Sequence, residues 1–292
     1  MDSDSEQLAI LSKLPDAVDE LVSLVRRAAP RELPLGPLWP VVGASCMAKA
    51  TCSMESLMAI LRARHYLDGW LVARSLYETV TTFAWTAIDP EEHIKRLVRD
   101  SWGELLRANR SLLSFADFPM LPNEVENVFI DARNRDIGDP PSVFDMATQC
   151  DQVWSLSSTD FDDPRLDLES PEAGTLEYLE HVDTLVSSFR GLYDLLYRTG
   201  SAAGHGDVWM MLECFSHQHE DGWTVDFDEK PSSSWYPYRP PAMPFLVAPA
   251  LYAEAMRLSS RLLGWPDKGE CRAADVRYGT RVGYFEEDAE PT

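Results

Sequence analysis

The sequence predicts a mainly α-helical protein, a bundle of several helices with one β-hairpin late in the chain. Apolar residues recur every three to four positions over most of the sequence, which is typical of helices with one buried face. The pattern changes to alternation only near the end, which is typical of strands. We expect one domain over residues 1–292, with a core at about 41–264 and peripheral segments at 4–29 and 265–292.

The first predicted helix covers residues 4–29 and is broken at Pro15. Leu21 and Val25 follow the helical period near its end. The next stretch, PRELPLGPLWP at 30–40, has four prolines in eleven residues and is therefore not expected to be helical. We interpret it as a rigid connector along the surface.

The longest helical pattern covers residues 41–88, with a break predicted near Asp68 and Gly69. In its second half, apolar side chains surround nearly the whole helix and leave only a narrow polar strip. A helix that is apolar nearly all round is a buried one. The segment 66–87 is therefore predicted to be the centre of the bundle, with three buried aromatic residues: Trp70, Tyr77 and Trp85.

The rest of the chain contains further helical patterns and one hairpin. Helices are predicted over 90–115, 123–136, 141–150, 173–204 and 245–263. An acidic loop, STDFDDPRLDLESPEAG, separates two of them and is expected to be exposed. After His205 apolar residues alternate, and two such runs flank Glu220-Asp221-Gly222, a hairpin signature.

Composition restricts the location and the partners of the protein. The formal net charge of −22 repels polyanions, so the bulk charge disfavours nucleic acid and anionic membranes, although a local basic patch could override this. Five cysteines without a C-x-x-C pair indicate reduced thiols and a cytoplasmic location. The acidic start, MDSDSEQ, is unlike a secretory signal, and no run of about 18 apolar residues predicts a membrane span.

The stretch YRTGSAAGH contains the first candidate site. Arg198 and His205 are seven positions apart, a rotation of about 700° on an α-helix, so both point the same way with Ser201 between them. Gly200 and Gly204 each cost a helix about 1 kcal/mol relative to alanine. They indicate that another helix, from this chain or from a second copy, comes close.

The alternative interpretation of this stretch is structural. Gly204 would end the helix as a left-handed cap, and His205 would interact with the helix dipole.

Arg74 and Glu78 form the second candidate site, four positions apart on the apolar central helix. A charged pair in such surroundings is expected to be partly buried and to need partners. It is either a structural ion pair or the border of a polar pocket shared with His205, which Tyr197 and Ser201 would also line.

Metal and cofactor sites are not predicted. The sequence contains no phosphate-binding loop, dinucleotide-binding glycines, G-x-S-x-G, H-E-x-x-H or zinc-type Cys/His set. His217 and His219 share one face of a strand, and Glu213 could join them as a metal site, but a solvated hairpin tip is the alternative.

A basic stripe on the 90–115 helix is the best local patch of positive charge. Its members are Arg96, Arg99, Arg107 and Arg110. Acidic residues at helical spacing, such as Glu92 four positions before Arg96, offer the alternative of a salt-bridged, solvated face.

Two segments carry a resemblance to known proteins. RSLYETVTTFAW at 74–85, followed much later by Tyr197-x3-Ser201-x3-His205, resembles an uncharacterised family of bacterial and phage helical proteins. Separately, Arg198-x6-His205 resembles the R-x4–6-H motif of the HEPN superfamily (higher eukaryotes and prokaryotes nucleotide-binding).

The HEPN resemblance implies a function. Those proteins are helical bundles, often dimeric, and many are metal-independent ribonucleases of toxin and phage-defence systems. It implies that His205 is the general acid/base on a ribose 2′-hydroxyl and that Arg198 stabilises charge on phosphate. RNA would be the substrate and a second copy the partner, without a cofactor.

Two alternatives remain open on the sequence. The protein could be a non-catalytic helical binding or scaffold protein, with a small polar pocket formed by Arg74, Glu78, Arg198, Ser201 and His205. It could also be an assembly protein that uses the small-residue face as its contact.

Overall fold

The computed structural model describes most of the chain: residues 3–30, 32–33, 37–112, 138–154, 188–204, 216–219, 222–225 and 243–282. Within these ranges the protein is mainly helical, as predicted. No described helix is both long and apolar enough to cross a bilayer. The helix predicted at 123–136 and the acidic loop lie outside the described residues.

Proline does not interrupt the first two helices. Helix α1 (Ser3–Ala28) continues through Pro15, so the predicted break is wrong. Burial of one face of α1 on both sides of this proline compensates for the lost hydrogen bond. The fully buried residues of this face are Leu14, Ala17, Val18 and Leu21. Helix α2 (Leu38–Ala63) begins inside the predicted connector, because Pro40 lies in its first turn, where a missing N–H costs little.

The predicted break within 41–88 lies at Arg64 instead of Asp68-Gly69. Arg64 adopts a left-handed conformation with φ 61°, and its N–H donates to the Leu61 carbonyl at 3.0 Å. Helix α3 (Tyr66–Ile88) starts two residues later. Gly69 has a packing role, since a Cβ there would overlap the ring of Phe245.

Helix α4 (Pro90–Leu112) and helix α5 (Val143–Val153) follow, close to their predicted positions. Three consecutive segments then form one continuous helix, called the 189–204 helix below: α6 (Phe189–Leu192), a π-helical turn (Tyr193–Arg198) and α7 (Thr199–Gly204). The described part of the predicted 173–204 helix therefore contains a π turn that the periodicity does not indicate.

The C-terminal part contains two strands and two helices. Strands β1 (Ser216–His219) and β2 (Gly222–Val225) pair antiparallel. Helix α8 (Met243–Leu263) is buried along most of its length. Helix α9 (Lys268–Val282) occupies a segment for which the sequence predicts no helix.

Helix α3 is the centre of the described bundle, as predicted. Trp70, Tyr77 and Trp85 are each at most 1% exposed. Helices α2, α5, α8 and the 189–204 helix pack around α3. Helices α1 and α9, at the predicted periphery, both contribute side chains to the same core.

Ion pairs join the two terminal helices to their neighbours. Arg257 of α8 lies between the carboxylates of Glu254 and Asp275, all three largely buried. Glu20 of α1 pairs with Arg277 and Arg281 of α9. The Arg257–Asp275 pair joins α8 to α9, and removing either partner would leave an uncompensated buried charge.

Candidate functional site

A contact between the small-residue stretch and α3 positions the candidate site. A Cβ at Gly200 would lie 2.5 Å from the Arg74 Cβ and 2.6 Å from the Trp70 carbonyl oxygen. Only glycine therefore fits without a shift of the backbone or its neighbours. The predicted close approach is confirmed, and the approaching helix is the central helix of the same chain.

Gly204 does not have the conformation of a left-handed cap. Among the described glycines, Gly264 has a positive φ and Gly204 does not. A Cβ at Gly204 would meet the end of one flexible side chain, the Leu71 Cδ2, at 2.8 Å. The cap interpretation of Gly204 is therefore wrong, and its packing is looser than that of Gly200.

Arg74 connects α3 to the π turn of the 189–204 helix. Its Nε donates to Glu78 Oε1 at 2.9 Å, and its guanidinium carbon lies 4.6 Å from the centroid of the Tyr197 ring. The side chains of Arg74 and Glu78 are 28% and 33% exposed, so the predicted partly buried pair is confirmed. Three of the predicted site residues thus meet.

Ser201 is joined to the same group through the backbone. Its hydroxyl donates to the Tyr197 carbonyl oxygen at 2.8 Å, and the side chain is half-buried. This bond uses the hydroxyl proton locally, which is common for serine within helices. Ser201 can still accept a hydrogen bond from a ligand.

Arg198 has a different environment, on the outside of the helix. Its side chain is 67% exposed, and its Nη1 donates to Asp194 Oδ1 at 3.1 Å. Exposed pairs of this kind contribute about 0–1 kcal/mol, so a phosphate can replace Asp194 at little cost. The next residue, Thr199, is buried.

His205 lies outside the described residues. Its alignment with Arg198 and its nearness to Glu78 therefore stay predictions. Glu213 of the suggested metal group also lies outside them. No group of three or more His, Cys, Asp or Glu side chains suited to a metal ion occurs in the part of the chain that the structure describes.

Helix α5 and the core hold the start of the 189–204 helix. The Asp151 carboxylate accepts hydrogen bonds from the N–H groups of Phe189 at 2.7 Å and Arg190 at 3.0 Å. The Tyr77 hydroxyl donates to the Phe189 carbonyl at 2.8 Å. Burial raises the pKa of Tyr77 well above its usual value, so the hydroxyl remains a donor at neutral pH.

The sequence prediction missed an aromatic ladder beside these residues. The ladder consists of three rings with an arginine over each end: Arg74, Tyr197, Tyr193, Phe144 and Arg190. The spacing Tyr193-x3-Tyr197 is one signal that the sequence offers, since side chains four apart on a helix are neighbours. Nothing local predicts the contact of Tyr193 with Phe144 of α5.

The basic stripe on α4 is partly neutralised. Arg96 pairs with Glu92 at 3.2 Å, as the salt-bridged alternative predicts, and Arg99 lies 4.0 Å from Asp139. The side chains of Arg107 and Arg110 lie outside the described set.

Comparison with known proteins identifies the protein family of this chain and nothing more specific. Neither the curated proteins nor the solved structures give a match. The model of one protein family matches residues 41–222, more than half of the chain, and its description is a family of unknown function. The match includes α3 and the 189–204 helix, and hence both segments of the candidate site. The chain belongs to this family, DUF5677.

Proposed function

We propose that this protein is a HEPN-like, metal-independent endoribonuclease, with Arg198 and His205 as catalytic residues. The observation that supports it best is the exposed position of Arg198 on a helix that the central helix α3 holds in place. Arg74 of the R-S-L-x-E segment packs against Gly200 and the Tyr197 ring of the second segment. Arg198, on the exposed side of that helix, is available to a phosphate.

The proposed reaction uses the RNA's own 2′-hydroxyl. His205 takes the proton of this hydroxyl as its oxygen bonds to the adjacent phosphorus, and the bond from phosphorus to the 5′-oxygen breaks. The 5′-oxygen leaves as a hydroxyl after taking a proton from the imidazolium or from water. Arg198 stabilises the charge on the phosphate oxygens, so the products are a 2′,3′-cyclic phosphate and a 5′-hydroxyl.

Two further features belong to the proposal. The exposed position of Arg198 suits a homodimer in which two copies face each other across RNA, as the resemblance implies. The net charge of −22 predicts that RNA is held at only a few arginines, so binding should weaken only moderately as salt is added. Such an enzyme would act in the cytoplasm as a toxin or phage-defence effector.

The test is cleavage of mixed RNA by the full-length protein in the presence of a chelator. We expect cyclic-phosphate products, and losses of about 10²-fold or more for Arg198→Ala and for His205→Ala. Arg62→Ala is the matched control, since Arg62 is also an exposed arginine paired with an aspartate. Unchanged cleavage in both variants, with folding intact, would contradict the proposal.

The second candidate is a binding protein without catalysis, and the arrangement around Arg74 favours it. Glu78 and the Tyr197 ring already hold the Arg74 guanidinium, yet the Arg74 side chain remains 28% exposed. Such a cluster suits a small ligand that has both a polar and a planar part. Absence of cleavage, with a ligand-dependent rise in melting temperature that Arg74→Met abolishes, would favour this candidate.

A further inference from the structure

We infer that the aromatic ladder is a stacking surface for the unpaired bases of single-stranded RNA. This inference rests on the proposed function, because it names the form of the RNA that the proposed ribonuclease holds. It adds residues that lie outside the catalytic pair: Phe144, Tyr193 and Arg190.

The ladder is a continuous series of planar groups across three elements. The Tyr193 and Tyr197 rings stack with centroids 4.8 Å apart and 15° between their planes. The Phe144 ring of α5 meets the Tyr193 ring edge-on, with their centroids 5.2 Å apart. The Arg190 guanidinium carbon lies 5.2 Å from the Phe144 centroid.

The position of these rings differs from that of packing aromatics in this protein. Trp70, Tyr77 and Trp85 are at most 1% exposed, whereas Phe144 is 38% exposed. Tyr193 and Tyr197 are half-buried, and Arg190 is exposed. If these rings served only to join α5 to the 189–204 helix, burying them fully would stabilise the fold more, because the gain in free energy grows with the apolar area removed from water.

The Phe144 end of the ladder is the place where a base can enter. Among the described residues, the Arg190 guanidinium has no ion-pair partner and rests only on the Phe144 ring. A planar base can take this place on the ring face, and the guanidinium can then reach the neighbouring phosphate. Stacking on an aromatic ring needs an unpaired base, so the surface favours a single strand over a duplex.

The charge at the Arg190 end of the ladder suits a phosphate group. Arg190 and the exposed Arg198 lie on the same helix as the two tyrosine rings, and Arg74 lies on α3. Glu78 pairs with Arg74 and Asp194 pairs with Arg198, so among the described residues Arg190 is the arginine of this group without a carboxylate partner. Of the nearby carboxylates, that of Asp151 is occupied by the helix N–H groups, and that of Asp145 accepts the Ser142 hydroxyl proton at 2.7 Å. Both are thereby partly compensated.

The experiment measures binding of a fluorescent, uncleavable 2′-O-methyl single strand of about twelve nucleotides by anisotropy. We expect Phe144→Leu to raise the Kd about fivefold or more, because one stacked base contributes about 1–3 kcal/mol. Tyr193→Leu should raise the Kd as well, because the Phe144 ring packs against the Tyr193 ring. Phe144→Tyr should retain binding. Val41→Ala, at another exposed apolar side chain, is the matched control and should not change the Kd.

Two competitors identify what the ladder recognises. An abasic strand of the same length keeps the phosphates but lacks the bases, and we expect it to compete poorly. A duplex of the same sequence should compete poorly as well. Equal competition by the abasic strand, or Leu variants that are folded and bind like the wild type, would overturn the inference, as would a wild-type protein that does not bind the strand.

The two experiments together distinguish failure of this inference from failure of the proposed function. If ordinary RNA is cleaved in an Arg198-dependent manner while the ladder variants bind and cleave normally, the stacking surface is wrong and the ribonuclease stands. If the ladder variants lose binding but no RNA is cleaved, the stacking surface stands and the ribonuclease is wrong.

Discussion

The guanidinium of Arg74 lies over the ring of Tyr197, 4.6 Å from its centroid, and thereby joins the central helix to the π turn. The same arginine pairs with Glu78 on its own helix and contacts the backbone of the small-residue stretch at Gly200. One side chain thus fixes both the spacing and the rotation of the 189–204 helix. Arg198 is exposed on this helix, whereas Gly200 is buried against α3.

Replacing Arg74 should therefore affect stability and the site together. Arg74→Lys keeps the charge but loses the planar group over Tyr197, and we expect a loss of about 0.5–2 kcal/mol in unfolding free energy. Tyr197→Phe keeps the ring and should cost less. Chemical denaturation of both variants tests this, and a larger loss for Tyr197→Phe than for Arg74→Lys would contradict it.

Gly200 and Gly204 provide a matched pair of substitutions. Gly200→Ala should lower the unfolding free energy by about 1–3 kcal/mol, because the new Cβ meets the Trp70 carbonyl and the Arg74 Cβ. Gly204→Ala should be neutral or stabilising by up to about 1 kcal/mol, because the flexible Leu71 end can move and alanine favours helix. If urea unfolding shows equal losses of unfolding free energy for both variants, the close approach at Gly200 does not exclude a Cβ, and the prediction is contradicted.

These two glycines also show how far the sequence predicts the site. Small residues at helical spacing indicate a close contact, because no other residue type permits it, and the structure identifies the partner as α3. The break predicted at Pro15 is wrong, and the one predicted near Gly69 lies at Arg64, for a related reason. Buried side chains on both sides of Pro15, and the Phe245 ring against Gly69, override the local preference of each residue.

Other features depend on contacts that one sequence cannot give. Helix α9 has a weak pattern because small or partly polar residues, such as Cys271, Ala274 and Tyr278, form its buried face. The ladder contact of Phe144 with Tyr193 joins residues far apart in the chain.

The contact between Asp151 and the start of the 189–204 helix gives a further prediction. Asp151→Ala removes the acceptor of two N–H groups, and we expect a loss of about 0.5–2 kcal/mol together with fraying of the first turn. Hydrogen exchange should rise at Phe189 and Arg190 more than in α2. Asp139→Ala, at an exposed carboxylate 4.0 Å from Arg99, is the control and should leave exchange at these two amides unchanged.

Thiol reactivity should separate the cysteines by burial. In a Cys214→Ser background, Cys52 is exposed and should react with a thiol reagent in the folded protein. Burial raises the pKa of Cys271 to about 12 and that of Cys150 further, so both should react only on unfolding. Mass spectrometry of partly labelled protein tests the order. Labelling of Cys150 at the rate of Cys52 under native conditions would contradict the buried contact of α5 with α3.

The buried tyrosines predict that stability falls in alkaline solution. Burial raises the pKa of Tyr77 and Tyr252 in the folded state, whereas in the unfolded chain they lose their protons near pH 10. Above that pH the unfolded state binds fewer protons than the folded state, so the unfolding free energy decreases as pH rises, by up to about 1.4 kcal/mol per pH unit for each tyrosine. Below about pH 9 this contribution is constant.

Tyr252→Phe isolates one of these contributions. It loses the hydrogen bond between the Tyr252 hydroxyl and the Thr51 hydroxyl, 2.8 Å apart, and so should be less stable than the wild type at neutral pH by about 0.5–1.5 kcal/mol. The variant cannot ionise at this position, so its stability should fall less steeply between about pH 10 and pH 11. Urea unfolding at several pH values measures both effects. A constant difference between variant and wild type across this range would mean that Tyr252 ionises alike in both states, and that its hydroxyl reaches water in the folded protein.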